Sequence, residues 1–475
     1  MKGDFTRDTF EPLKQFRRVL MQQGRVQLDA DWNEQIAILL RSLETLTKDL
    51  IGPYGGPEGN CGFAIIATLD KFPEDSGLDE NQRTQLKAAI KEAGDFLIAP
   101  GNYYVDGMPV ENTHYVLYSR QLHLQGSGLA ITNKKCRHLI YLDVWERHIT
   151  LLEDDTISEV ALRGADTATR SKVIWQVKSW ELKDEFEAAD CTKLKKHWPL
   201  LVDLLQSRHR GALKAKAKEM LDIDHLDPSA ISPDSRFHGP ENQLYRVEIH
   251  YGGAVDATGA RNGPTFKWSR DNGAVTFPIV SVEGSTVRLG NVGRDARFGL
   301  TPGDLVEIVD DDYVLQNRAE PLLMVESVDS DRACVTLKGQ LASTVGQDPN
   351  KHPLLRRWDQ KSGDPKRGGL ELRDGSAIIR EGEGDRFWLV LEDGVQIQFE
   401  PADPPNQYRT GDYWLIPART ATGDVEWSRI MGKPLALPPR GIEHHYAPLA
   451  IVSFKDEQLE TKADCRPKFR VTSAF

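Results

Sequence analysis

The chain has 475 residues, 60 Lys plus Arg against 71 Asp plus Glu, and a formal charge of −11, which argues against a general nucleic-acid binder because counterion displacement from phosphate needs a basic face. A hydrophobic content of 39% and a mean hydropathy of −0.47 exclude both a membrane protein and a disordered one, and the longest apolar stretch, Phe63 to Leu69, is far too short to span a bilayer. The opening Met-Lys-Gly-Asp-Phe-Thr-Arg-Asp lacks an apolar core, so synthesis in the cytoplasm without Sec export is expected. The cysteines are scattered, with no Cys-x-x-Cys pair, a pattern that suits reduced thiols.

Residues 1–52 read as a unit of their own. Val19 to Leu28, with Gly24 in the middle, suggests a hairpin or an extended arm. Trp32, Ile36, Leu39, Leu40, Leu43, Leu46 and Leu50 then recur at three- and four-residue spacing, as in an amphipathic helix. Asp29 or Asp31 is its N-cap, and Gly52-Pro53 stops it. A linker rich in Gly and Pro closes the unit.

A first β module is expected over 61–240, with strands around 96–105, 141–145 and 172–180. It carries a short helical insertion near 80–93. At 182–228, rich in Leu, Lys, Ala and Glu and interrupted by Pro199, a two-helix excursion is expected. A second β module spans 241–345, an irregular basic loop 346–380, and a C-terminal β module 381–475. Strands at this spacing without alternating helices give a mainly β fold with α insertions, built as sandwich or barrel modules.

The sequence offers little chemistry. Walker, Gly-x-Ser-x-Gly and His-Glu-x-x-His signatures are missing. Adjacent His444 and His445 would point to opposite faces of a strand and so could not readily chelate one ion; backbone hydrogen bonding is the simpler reading. Asp310-Asp311-Asp312 and Glu153-Asp154-Asp155 read as solvated turns, with calcium the alternative. Asp271-Asn272-Gly273 is a hairpin-turn signature, which accounts for Arg270 and Asp271 without a catalytic role. Most tryptophans lie in alternating strands and read as core. Trp358, in the irregular loop, is the candidate for exposure and glycan contact. No catalytic residue, cofactor or metal ligand is assigned, and no heptad zipper or triple-stranded repeat stands out.

The opening ten residues, the run Arg18 to Gln35, and the blocks Gly101 to Gly107, Tyr141 to His148, Phe266 to Gly273, Tyr408 to Arg419 and Gly441 to Ala450 resemble a bacterial domain family of unassigned activity associated with phage-tail-like contractile injection systems. The resemblance runs nearly end to end. It implies a non-enzymatic structural protein of the baseplate periphery or fibres, whose partners are other particle proteins, in a particle that is released or membrane-anchored. Docking would fall to the N-terminal unit, with Phe5, Phe10, Arg18, Met21, Arg25 and Trp32 as contact residues. A homo-oligomer, such as the trimer common among fibre proteins, is compatible with that role. The alternatives are a module for a cell-surface glycan and a cell-wall hydrolase using paired carboxyls.

Overall fold

The computed structural model describes residues 1–68, 72, 78–93, 95–122, 131, 135–162, 166–183, 190–206, 209–218, 236–255, 263–293, 297–339, 341, 343–455 and 458–470. It is mainly β with few helices, as the strand spacing suggests.

Among the described residues three large apolar cores organise the chain, beside a small cluster of Phe72, Ile90, Leu97 and Leu117. In the first, strand Arg137–Ile149 pairs over its whole length with Arg170–Leu182, from Arg137↔Leu182 to Ile149↔Arg170. Its other edge takes His445–Lys455, which in turn pairs with Gln458–Asp464. A second sheet, in the order Lys468–Phe469, Tyr54–Pro57, Gly101–Val105, Met108–Asn112, contributes to the same core. Alternation explains the pairing: in Gly101–Val105 and Met108–Asn112 every second side chain is buried.

The second core lies between a six-stranded sheet and a three-stranded one. The larger runs Leu372–Arg373, Ser376–Ile378, Thr265–Ser269, Gln243–Ile249, Tyr413–Arg419, Asp424–Val425; the smaller runs Leu389–Val390, Val395–Glu400, Ala212–Ala217. The third core fills a closed barrel formed, in order, by Thr276–Glu283, Thr286–Leu289, Cys334–Lys338, Leu323–Asp329, Leu305–Val309 and Leu354–Trp358. The cores are nested in the chain: the barrel strands fall between Thr265–Ser269 and Leu372–Arg373, and the strands of the first core flank all the rest. The expected C-terminal stretch 381–475 is thereby shared, with 389–425 in the second core and 445–469 in the sheets of the first.

Helix α1 is Asp29–Ile51, α2 is Glu80–Ala93, α3 is Cys191–Leu205 and α4 is Asp311–Leu315. The helix at 80–93 stands where the sequence places it. The two-helix excursion is corrected in part: among the described residues, 182–228 holds one helix, α3, and the strand Ala212–Ala217 where more helix was expected, while 184–189, 207–208 and 219–228 lie outside the described residues. Pro199 does not divide α3, because Leu194, Trp198 and Leu201 bury one face of it on the first core. In Ala212–Ala217, Leu213, Ala215 and Ala217 alternate with Ala212, Lys214 and Lys216, so one face is buried in the second core while the edge pairs with Val395–Glu400. The loop expected at 346–380 also contains a barrel strand, Leu354–Trp358. After a 3-10 turn at Pro12–Lys14, residues 15–28 carry no strand and form an arm with one further turn at Gln23-Gly24.

Cys191, the first residue of α3, is bonded to Cys465, 274 positions away, with a Cα–Cα separation of 5.1 Å. Cys61, Cys136 and Cys334 are free. The expectation of reduced thiols therefore fails for one pair, whose separation leaves no spacing signature. Because the bond ties α3 to the end of strand Gln458–Asp464, reduction should lower stability by about 2–4 kcal/mol. Urea unfolding with and without reductant measures this. Cys465→Ser should shift the midpoint as reductant does, and reductant should then add nothing.

Candidate functional site

The N-terminal unit is held by its first residues. Lys2 pairs with Glu248 at 2.9 Å. Asn272, at φ 50° in the turn 271–273, donates from Nδ2 to the carbonyl oxygens of Met1 (3.2 Å) and Gly3 (2.9 Å). The triplet is a turn, but not the expected hairpin turn, because Thr265–Ser269 and Thr276–Glu283 on either side pair with other strands and not with each other. Phe5, half-buried, meets the ring of His148 edge-on at 6.2 Å, and Arg7 pairs with Glu426 at 2.9 Å.

These contacts rest on a buried ionic network. Glu248 accepts from Arg246 Nε at 2.6 Å and lies 3.4 Å from Lys267 Nζ. Lys267 also pairs with Glu307, which accepts from the Tyr313 hydroxyl and, at 2.9 Å, from Trp358 Nε1. Burial opposes ionisation of both carboxyls, yet the surrounding cations prevail. Lys2, Arg246 and Lys267 hold Glu248 well below the usual range, and Lys267 with His250 holds Glu307 at about 2. Trp358 is thus 1% exposed in the barrel wall, which corrects the expectation of an exposed glycan contact. All ten tryptophans are described, and Trp32 is the exposed one.

Beyond the anchored residues the chain turns outward. Phe10 is half-buried, whereas Arg18, Met21 and Arg25 are exposed along the arm, as are Leu13, Phe16, Leu20 and Val26. Asp29 opens α1, with Leu28 as N-cap, and its carboxylate accepts from Thr6 N at 2.9 Å. The preceding N-terminal segment and the body both contact a largely polar face of the helix. Glu34 accepts from the Thr9 hydroxyl at 2.6 Å, Gln35 from Val19 N at 2.8 Å, and Lys48 pairs with Asp106 at 2.6 Å. Only Ala30 and Ile38 are buried on α1. At Gly107, φ 94°, a Cβ would collide with the Glu44 carbonyl group, so glycine permits the close approach of helix and hairpin turn. The expected apolar stripe is present, but it faces solvent: Trp32 is 71% exposed and Leu50 77%.

A second feature is a cleft of about 350 Å³ where the three cores meet, lined by Trp145, Lys178, His444, Asn317 and Arg409 among others. His444 Nδ1 donates to Asp143 at 2.7 Å, and Lys178 Nζ donates to the other carboxylate oxygen at 2.6 Å. Burial works against the Asp143 charge, but His444 and Lys178 outweigh it and hold its pKa below the ordinary value. His445 turns away to Asp106 at 3.1 Å. The two histidines therefore bind carboxylates on separate elements, where backbone partners were expected. The acid–histidine pair orients an imidazole, but among the described residues the cleft lining holds no serine or cysteine.

The remaining acidic candidates are engaged structurally. Asp310 caps α4 by accepting from Tyr313 N at 2.9 Å, Asp311 binds Arg147 and His352, and Asp312 binds Lys351. Glu153 accepts from Thr150 N and Asp154 from Thr156 N. No cluster of three or more potential metal ligands occurs among the described residues. Arg270 bridges Asp359 and Glu392, the latter raised to about 7 chiefly by burial. The exposed apolar surface lies on the unit that the sequence singled out; which face of α1 is covered carries no sequence signal.

A family of unknown function, DUF6519, matches residues 1–224 and 188–472. The chain belongs to it. Among curated proteins and solved structures, nothing matches. This DUF6519 member has no helix, among its described residues, long and apolar enough to cross a membrane.

Two outcomes follow from this geometry. Glu307 is depressed from 4.5 to about 2, so its stabilisation is fully present above the unfolded-state value and is lost as pH falls toward 2. Glu307→Gln should cost about 3–5 kcal/mol at neutral pH by leaving Lys267 short of a partner, and should flatten that acid limb in denaturant titrations. Gly107→Ala should loosen α1 from the hairpin, read as faster amide exchange across 29–51 with little change in Arg137–Ile149.

Proposed function

We propose that this protein is a non-enzymatic assembly component acting through protein–protein contacts, with the N-terminal unit as its docking element. The observation that carries this reading is the apolar surface of the arm and α1, open to solvent while Lys2, Arg7 and Lys48 tie the unit to the body. Monomeric soluble proteins rarely expose so large an apolar patch unless it is an interaction site. The engagement of the polar clusters as caps and ion pairs supports a structural over a catalytic role.

The particle we propose is a phage-tail-like contractile injection system, with the chain at the baseplate periphery or fibres. The basis is the end-to-end resemblance of its sequence blocks. It would be made in the bacterial cytoplasm and carried in the assembled particle, where a disulfide suits exposure to an oxidising exterior. Charging the arm with Leu20→Glu, Met21→Glu and Val26→Glu should leave thermal unfolding unchanged and remove the chain from purified particles, as scored by immunoblot. Particles that keep the variant at the wild-type level would refute the docking role.

A further inference from the structure

The exposed residues of α1 carry a register that the arm does not. Trp32, Ile36, Leu39, Leu43, Leu46 and Leu50 follow one another at intervals of four, three, four, three and four, and every one of them is exposed. Where the spacing alone reads as an ordinary amphipathic stripe with no heptad zipper, the exposure of all six picks out a short a/d heptad seam, with Ile36, Leu43 and Leu50 at a and Trp32, Leu39 and Leu46 at d. It runs along about 27 Å of helix at ~1.5 Å per residue. A helix that merely completes the body's own core would turn this seam inward. Here the body holds the opposite side, through the Lys48–Asp106 pair and the close approach of Gly107 to the Glu44 backbone.

We infer that the α1 seam packs against the α1 seam of a second copy of this chain, forming a homotypic coiled coil. The inference rests on the proposed assembly role and names one of its partners. Charge decides for a second copy. The positions flanking the seam, e and g, are Asn33, Gln35, Leu40, Ser42, Thr47 and Asp49, of which one is charged. Flanking charges normally select a heterologous helix, and none is set here to do so or to repel an identical one. Area agrees as well. The seam with Leu40 exposes on the order of 600–700 Å² of apolar side chain, near the ~800 Å² per partner buried in a standard interface.

The test uses the full chain and sedimentation equilibrium. Wild type should show at least twice its monomer mass of 53.4 kDa at micromolar concentration. An acidic variant, Leu39→Glu with Leu46→Glu, and a basic one, Leu39→Lys with Leu46→Lys, should each run as monomers with a wild-type circular dichroism spectrum. Mixed in equal amounts, they should regain the oligomer, because the seam then pairs opposite charges. A monomeric wild type, variants that keep the wild-type mass, or a mixture that stays monomeric each overturns the inference; a seam that pairs only with a different helix would appear as the first of these. A monomer that still enters particles through its arm sinks this inference and leaves the proposed function standing, whereas an oligomer missing from particles does the reverse.

Discussion

Lys267 between Glu248 and Glu307 is the contact on which the arrangement of the molecule depends. Its strand belongs to the second core, Glu307 to the barrel, and Glu248 also receives Lys2 from the N-terminal unit. Charges so far from water are tolerated only when each is paired and hydrogen-bonded. Glu307 meets that condition with Lys267, Tyr313 and Trp358 at once. The network therefore fixes geometry more than it adds stability. It sets where the barrel sits on the six-stranded sheet, and from there where the arm leaves the body.

The same constraint explains why an apolar helix can stand outside. A free amphipathic helix would fold its greasy face onto the nearest core. Lys48 with Asp106, Glu34 with Thr9, and the close approach at Gly107 hold α1 by its other side. The body thus behaves as a handle, and the exposed apolar surface is what it holds out.

Much of the β architecture was legible in the sequence because alternation and turn residues are local signals. Thr286–Leu289 and Leu305–Val309 have the limits that pattern gives, and the turn at Asn272-Gly273 was readable for the same reason. Where long-range contacts decide, local pattern failed. Ala212–Ala217 resembles a helix in composition and is a strand because Val395–Glu400 pairs with it. Trp358 lies among basic, Pro-rich residues and is buried because the barrel closes through it. The stripe on α1 was visible, but periodicity reveals only that a face is apolar, never which neighbour covers it. The cleft was invisible, since Asp143 and His444 are separated by 301 positions.

Nesting has a consequence for how the molecule comes into being. Strand Arg137–Ile149 gains its second neighbour only when His445–Lys455 has been synthesised, so the innermost barrel can close while the outermost sheet still waits for its edge. Such distant pairing is slow and leaves an unpaired strand open to wrong partners in the interval. Completion of the first core, and the covalent link from α3 to Cys465 that follows it, therefore certifies that the ribosome has passed residue 465. A prematurely ended product could hold out its arm, but the sheet beneath it would stay unfinished, an open edge that quality-control proteases and chaperones can distinguish from the finished protein.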